Sequence, residues 1–329
     1  MNWRNTLPRY ARILDGEEEA RYLTAKSIEV EFSKSDNIQT LWKIHDKSLK
    51  EPRIVDSPEK SLLDLKIEIA DRIFRKCEFC ERRCGVDRTE QGGACGVREA
   101  RIASEFLHIG EEYMLIPSYT IFFSGCTFHC VFCQNWDISQ NICGTHIEPR
   151  RLAEMIKARR AQGALNVNWV GGDPTPNLPY ILKVLRFCRE NIPQIWNSNM
   201  YCSLETMKLL DGVIDLYLTD FKYGNNGCAE RLSMVRNYME IVERNHRIAY
   251  SQTDMLIRHL VMPNHIRCCT EPILKWISKN TPQALVNIMA QYRPEYRACE
   301  YDDISRPLKM SEHREALEIA RELGLNFIY

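Results

Sequence analysis

The stretch YTIFFSGCTFHCVFCQNW, Tyr119 to Trp136, decides how the chain reads. Its first half is a short apolar run, β-branched and aromatic, of the kind that makes a buried strand. Its second half places Cys126, Cys130 and Cys133 in a CxxxCxxC pattern directly after that strand. Three close thiols are an odd inventory, because a structural zinc takes four ligands and a disulfide takes two. With 14 cysteines in 329 residues, chance yields about 0.03 such triplets. Three thiolates on one loop suit three corners of a [4Fe–4S] cubane, which usually takes four cysteines, so that one iron keeps an open position. Phe132, directly before the last cysteine, supplies apolar cover. The alternatives are a zinc ion completed by a distant residue, with His129 and His146 as local donors, or unrelated buried thiols.

Downstream the strand-then-helix texture recurs. NVNWVGG, QIWNSN, IDLYLTDFK, MLIRHLVMP and ALVNIMAQY are short apolar runs. Helical patterns follow them: PYILKVLRFCRE, SLETMKLLDG, the region from about Cys228 to Asn245, TEPILKWISKN and SEHREALEIARELG. With YTIFFSG and PRRLAEMIKARRAQG this makes six βα units, hence a parallel sheet with helices outside. Six units are too few for the closed eightfold barrel. The expected fold is therefore α/β, an open partial (β/α)6 barrel over 115–329, with a doubly wound sheet as the alternative. In either, function collects at the C-terminal ends of the strands, which is where the triplet lies.

Upstream, residues 77–98 change to cysteine, glycine and arginine: Cys77, Cys80, Cys84 and Cys95 fall within nineteen residues around the Gly92-Gly93 turn. So polar a segment makes no core of its own and needs a metal to hold it, either zinc or a second iron–sulfur cluster. Four protein ligands leave no open position, which favours a structural role. Arg82, Arg83, Arg88 and Arg98 either offset the thiolate charge or face solvent. Residues 1–76 read as a helical N-terminal extension, from ARILDGEEEARYLTAKSIE and SLLDLKIEIADRIFR.

Composition excludes several classes. Lys plus Arg and Asp plus Glu are 44 each, so no net charge marks the chain for generic nucleic-acid binding. No signal peptide opens it and no run reaches the ~18 apolar residues of a membrane span, which reads as a cytoplasmic protein. Fourteen cysteines there indicate metal, catalysis or buried thiols rather than disulfides. Cys143, Cys228 and the Cys268-Cys269 pair fall on expected post-strand loops and are read as incidental thiols, with service as a hydrogen donor or extra ligand as the sharper alternative. No local partner marks His108, His259 or His265 as ligands.

CxxxCxxC with an aromatic before its third cysteine, after the first strand of a βα series, resembles the radical S-adenosylmethionine (SAM) superfamily. The resemblance covers roughly residues 77 to 329. It implies that the open iron is chelated by SAM, whose reductive cleavage yields a 5′-deoxyadenosyl radical that takes hydrogen from substrate. VGGDPTP is similar to the family's glycine-rich SAM motif, making Gly171, Gly172 and Asp173 cofactor-binding, with Asp173 where Glu is commoner. DLYLTDFK resembles the strand end of glycyl-radical-enzyme activases, including pyruvate formate-lyase activating enzyme. It implies a cation or SAM-carboxylate site at Asp220 and a SAM or substrate contact at Lys222. NSN, Asn197, Ser198 and Asn199, falls where those activases carry an Asp-Thr pair, and Arg258 of IRHLVMP falls on the SAM side. CEFCERRCG…GACGV, followed by TIFFSGCTFHCVFCQNWDISQ, is most similar to uncharacterised relatives of that activase. The implied partners are a protein, peptide or small-molecule substrate and an electron donor such as flavodoxin or ferredoxin; the cluster would be oxygen-sensitive. Set against this enzyme is a non-catalytic metal-binding redox or interaction protein, which predicts four-ligand sites and no SAM binding.

Overall fold

A computed structural model describes residues 2–329. One sheet runs in sequence order through β1 (Ile102–His108), β2 (Ser118–Phe123), β3 (Asn166–Gly171) and β4 (Gln194–Ser198). It continues through β5 (Leu216–Asp220), β6 (Asp254–Leu260), β7 (Leu285–Met289) and β8 (Asn326–Ile328). β2 to β7 are the six expected strands, all parallel. β2 and β3 are almost wholly buried and β4 wholly so, and for that reason they read as continuous apolar runs. The order never reverses, so there is no switch point, and the doubly wound alternative falls. The sheet is an open barrel.

Two strands extend the expected six. β1 pairs antiparallel with β2 at one edge, and its sequence IASEFLH alternates in burial as a half-exposed edge strand does. β8 adds three parallel residues beside β7. The single expected helix near 228–245 is two, Asn226–Ser233 and Tyr238–Gln252, broken where Met234 and Asn237 turn to positive φ.

Among the described residues before 76 are four α-helices, Pro8–Leu14, Arg21–Ser27, Ile38–Lys50 and Leu62–Arg75, the last opened by a Ser61–Asp64 capping box. Their apolar faces join the barrel's own core, where Leu62, Leu65 and Ile69 are fully buried. The first helix closes the bottom of the barrel. Leu7 and Tyr10 cluster with Leu115, Ile195, Leu216, Leu256 and Leu285, and Asn166 Nδ2 donates to the Tyr10 hydroxyl at 2.8 Å. A cavity inside the barrel is thereby stopped below. No helix among the described residues is long and apolar enough to cross a membrane.

Candidate functional site

Cys126, Cys130 and Cys133 leave the C-terminal end of β2 on a loop that lines a cavity of about 430 Å³. The Cys126 thiol donates to the Gly172 carbonyl at 3.2 Å, Cys130 Sγ lies 2.8 Å from Ser233 Oγ, and Cys133 Sγ lies 3.2 Å from Ser139 Oγ. Burial pushes the Cys130 thiol up to about 12, and burial together with Asp173 holds Cys126 well above its ordinary value. Buried thiols of this kind ionise when a cationic group takes them. No fourth thiol lies among the cavity's lining residues. The donor set therefore fits a cubane with one open iron better than a closed tetrahedral ion. His129 Nδ1 is 2.7 Å from Gln140 Oε1 and His146 Nδ1 is 3.1 Å from the Ala100 carbonyl; neither imidazole lines the cavity.

The walls come from the ends of the next strands. Gly171 and Gly172 line the cavity, and the reason they are glycine is packing behind them. At Gly171, with φ of 128°, a Cβ would sit 2.2 Å from Phe123 N and O; at Gly172 it would sit 2.2 Å from the Gly125 carbonyl oxygen. Their missing side chains let the β3 end press on the cysteine loop. Asn197, Asp220, Lys222 and Arg258 face the same space, with Phe132 over it. Lys222 Nζ donates to Asp220 Oδ2 at 2.6 Å. Burial works against the Lys222 charge, but Asp220 and the Cys130 sulfur outweigh it and raise its pKa.

Asp173 and Ser198, expected at the cofactor, stand behind the wall instead. The Asp173 carboxylate is spent on Thr175 N at 2.8 Å, Ser198 Oγ at 3.1 Å and Asn199 N at 3.1 Å. This Asx-type turn locks the β3 loop to the end of β4. Asn199, the last residue of the NSN stretch and itself on the cavity wall, completes the lock by donating to Thr127 Oγ1 at 2.8 Å.

Arg258 lines the cavity floor, and its guanidinium is already occupied. Its Nε and Nη2 donate to Glu112 at 2.8 and 2.6 Å, and Nη2 also meets Glu111. Asn287 Nδ2 donates to Glu112 Oε1 at 2.7 Å. Both carboxylates come from the turn between β1 and β2 and were missed, because adjacent glutamates ordinarily read as a solvated surface. Their burial is a property of the antiparallel β1, which swings that turn under the barrel.

In the four-cysteine segment no three sulfurs lie within 4.8 Å of one another; Cys77, Cys84 and Cys95 act electrostatically on Cys80, whose pKa burial raises to about 12. Cys80 makes an antiparallel bridge to Cys202, and Ser203 N donates to the Phe79 carbonyl, so the segment docks beyond the end of β4. Arg82 reaches the cysteine loop, donating to the Thr127 carbonyl at 2.6 Å. Arg88 is buried and donates to the carbonyls of Val97 and Pro176 at 2.8 and 2.7 Å, while Arg83 pairs with Glu81 and Arg98 donates to the Thr89 carbonyl.

A sequence model of the radical SAM superfamily matches residues 120–277, from β2 into the helix after β6. An uncharacterized protein of Methanocaldococcus jannaschii is 50% identical over 338 residues, covering 98% of this chain and 99% of that protein. Streptococcus suis SuiB, solved with its precursor peptide SuiA, aligns at a TM-score of 0.45 and 17% identity over 61% of this chain and 46% of SuiB. The chain thus spans less than half of that structure. A domain of pyruvate-formate lyase-activating enzyme from Bacteroides vulgatus aligns at 0.40 and 15% identity over 50% of this chain and 97% of that domain.

Proposed function

The chain belongs to the radical SAM superfamily and is therefore an enzyme of SAM-cleaving radical chemistry; from that premise we propose that Cys126, Cys130 and Cys133 hold the [4Fe–4S] cluster and that the substrate is a glycine of a partner protein. The observation that carries the cluster assignment is the cavity itself, lined by three thiols without a fourth and stopped at its bottom. Cluster and SAM supply the electron and the 5′-deoxyadenosyl radical; the chain supplies place, charge and exclusion of water.

Phe132 shields the cysteine loop, packing against Tyr223 and Tyr292 with ring centroids 6.5 and 5.8 Å apart. Arg258 is held rigidly by Glu111 and Glu112, whose two carboxylates offset its charge, so it would serve the SAM side of the cavity as a fixed donor and not as a free cation. Lys222 and Asp220 form the adjustable pair: Lys222 can leave its carboxylate partner for a SAM or substrate carboxylate, freeing Asp220 for a cation. Asn197 and the Gly171-Gly172 backbone offer uncharged polar groups along the opposite wall. Asp173 and Ser198 act through the wall they brace. A glycine substrate is supported by the Asp220-x-Lys222 strand end, whose pattern resembles that of glycyl-radical-enzyme activases. The four thiols at 77, 80, 84 and 95 hold a structural zinc or second iron–sulfur cluster in the same proposal, and a flavodoxin- or ferredoxin-type donor supplies electrons.

The test is anaerobic reconstitution with iron and sulfide, reduction, addition of SAM and chromatography for 5′-deoxyadenosine. Product is expected from the wild-type protein and not from C126A, C130A or C133A. A fully loaded, reduced sample that makes none would overturn the assignment.

A further inference from the structure

Away from the cavity, the loops after β5 and β6 meet at Cys228, Cys268 and Cys269. Their three sulfurs all lie within 4.8 Å of one another, and this is the one group of three or more His, Cys, Asp or Glu donors so close among the described residues. Cys268 Sγ and Cys269 Sγ are 3.9 Å apart. Tetrahedral zinc with Zn–S of about 2.3 Å separates its sulfurs by about 3.8 Å. None of the three lines the cavity of the cysteine triplet, so their convergence is not explained by that site.

The nearest further donor is the buried His265 imidazole, beside Cys228 but not within 4.8 Å of all three sulfurs, so it completes the set only by drawing in on the ion. Its Nδ1 lies 2.8 Å from the Pro263 carbonyl, which takes the ring proton and leaves the Nε2 lone pair for a ligand. That backbone anchor is the arrangement metal-bound histidines ordinarily have. Asp303 Oδ2, 3.5 Å from Nε2, is the competing neighbour. Asn225 Nδ2 donates to Cys228 Sγ at 3.3 Å and reaches the Cys268 carbonyl at 2.8 Å, the kind of outer contact that steadies a thiolate. The backbone is shaped to fit as well. Residues Ile266–Thr270 form a single π turn, which sets the two adjacent cysteines on the side of Cys228. Gly224 is pressed so closely that a Cβ would lie 2.7 Å from the Cys268 carbonyl oxygen.

We propose that Cys228, Cys268, Cys269 and His265 form a metal site for one divalent thiophilic cation, zinc being the fitting class, which clamps the β5 and β6 loops together. The clamp has a mechanical consequence for the radical site. Cys228 sits in the first turn of helix Asn226–Ser233, whose last residue, Ser233, is 2.8 Å from Cys130 Sγ. The same helix end accepts the backbone N–H groups of His129 and Val131 through the carbonyls of Ser233 and Leu232. One ion at the first turn thus fixes the helix that backs the cysteine loop.

Full-length protein, purified anaerobically, is titrated with Co²⁺ and analysed for zinc and iron. Wild type should bind one cobalt equivalent more than C228S or H265A and show a stronger thiolate-to-cobalt charge-transfer band than either, any residual band in the variants belonging to the four thiols at 77, 80, 84 and 95, with iron content unchanged. Equal cobalt stoichiometry and equal band intensity in all three would overturn the site. A wild-type measurement guards against variants that fail to fold. Cys268 is exposed, so its alkylation by iodoacetamide should slow at least about tenfold when Zn²⁺ is added to chelator-treated protein. Identical labelling with and without Zn²⁺ would equally refute the proposal.

Discussion

Glu112→Ala is the sharpest test of how the floor of the cavity is built. The Glu112 carboxylate is 7% exposed as a residue and takes Arg258 twice, at 2.6 and 2.8 Å, with Asn287 at 2.7 Å. Removing one partner of a buried pair costs about 3–5 kcal/mol, because the remaining charge stays buried. Glu111 still meets the guanidinium, which places the cost near the lower end, about 3 kcal/mol. Unfolding entropy of about 2.1 cal/mol/K per residue over 329 residues comes to about 0.7 kcal/mol/K. The expected fall in Tm is then about 4 °C. A double-mutant cycle with Arg258→Met should show coupling of about 2 kcal/mol or more. The acid limb adds an independent check. Burial alone would raise the Glu112 pKa, but Arg258 outweighs burial and lowers it. The stabilisation is thus fully present above the unfolded carboxyl value and lost as pH falls through the folded one, so Glu112→Gln should flatten the acid side of the stability curve. A Tm within about 1 °C of wild type, or strict additivity in the cycle, would refute this account of the floor.

Lys66 is fully buried with His45 Nε2 at 2.8 Å and the Lys208 carbonyl at 3.0 Å, and burial pulls its pKa down to about 7. The unfolded chain binds the extra proton between that value and its ordinary one, so stability rises with pH across the window. Lys66→Met should remove the rise and stabilise the protein at pH 7, read as urea midpoints at pH 7 and 9; an unchanged slope would exclude Lys66 as its source. Gly171→Ala should cost ~3 kcal/mol or more or leave no soluble protein, since the clash is with the backbone of β2. Gly163→Ala, at φ of 102° with open space around it, is the control and should cost about 1 kcal/mol; equal melting points for the two variants would sink the packing argument.

What could be read from the chain was what is local. Strands buried on both faces announce themselves as apolar runs, and a cysteine triplet within eight residues is visible without a fold. β1 escaped because IASEFLH is a half-exposed edge, and the Glu111-Glu112 floor escaped with it. The direction of the Asp173 side chain was not legible, since a short carboxylate in a turn answers to Thr175, Ser198 and Asn199, contacts that exist only once β3 and β4 are side by side. Cys228 lies forty residues from Cys268, and only adjacent βα loops bring them together.

The size of the cavity constrains what can be a substrate. About 430 Å³ lies near the small end of ligand pockets, and the bottom is stopped by Tyr10 below and by the Arg258 cluster at the floor. On one side the rim is drawn in where Trp136 stacks on Tyr296 at 5.4 Å and Gln134 Nε2 donates to the Gln291 carbonyl at 2.9 Å. Cluster and SAM would take much of this space, and a second cavity of about 440 Å³ adjoins it at Arg258, sharing Gly110, Glu111, Met289 and Gln291. A glycine on a loop suits a cavity of this size, because its Cα hydrogens carry no side chain past the rim. On the proposed reading, a protein substrate would present its glycine on a loop that enters the cavity.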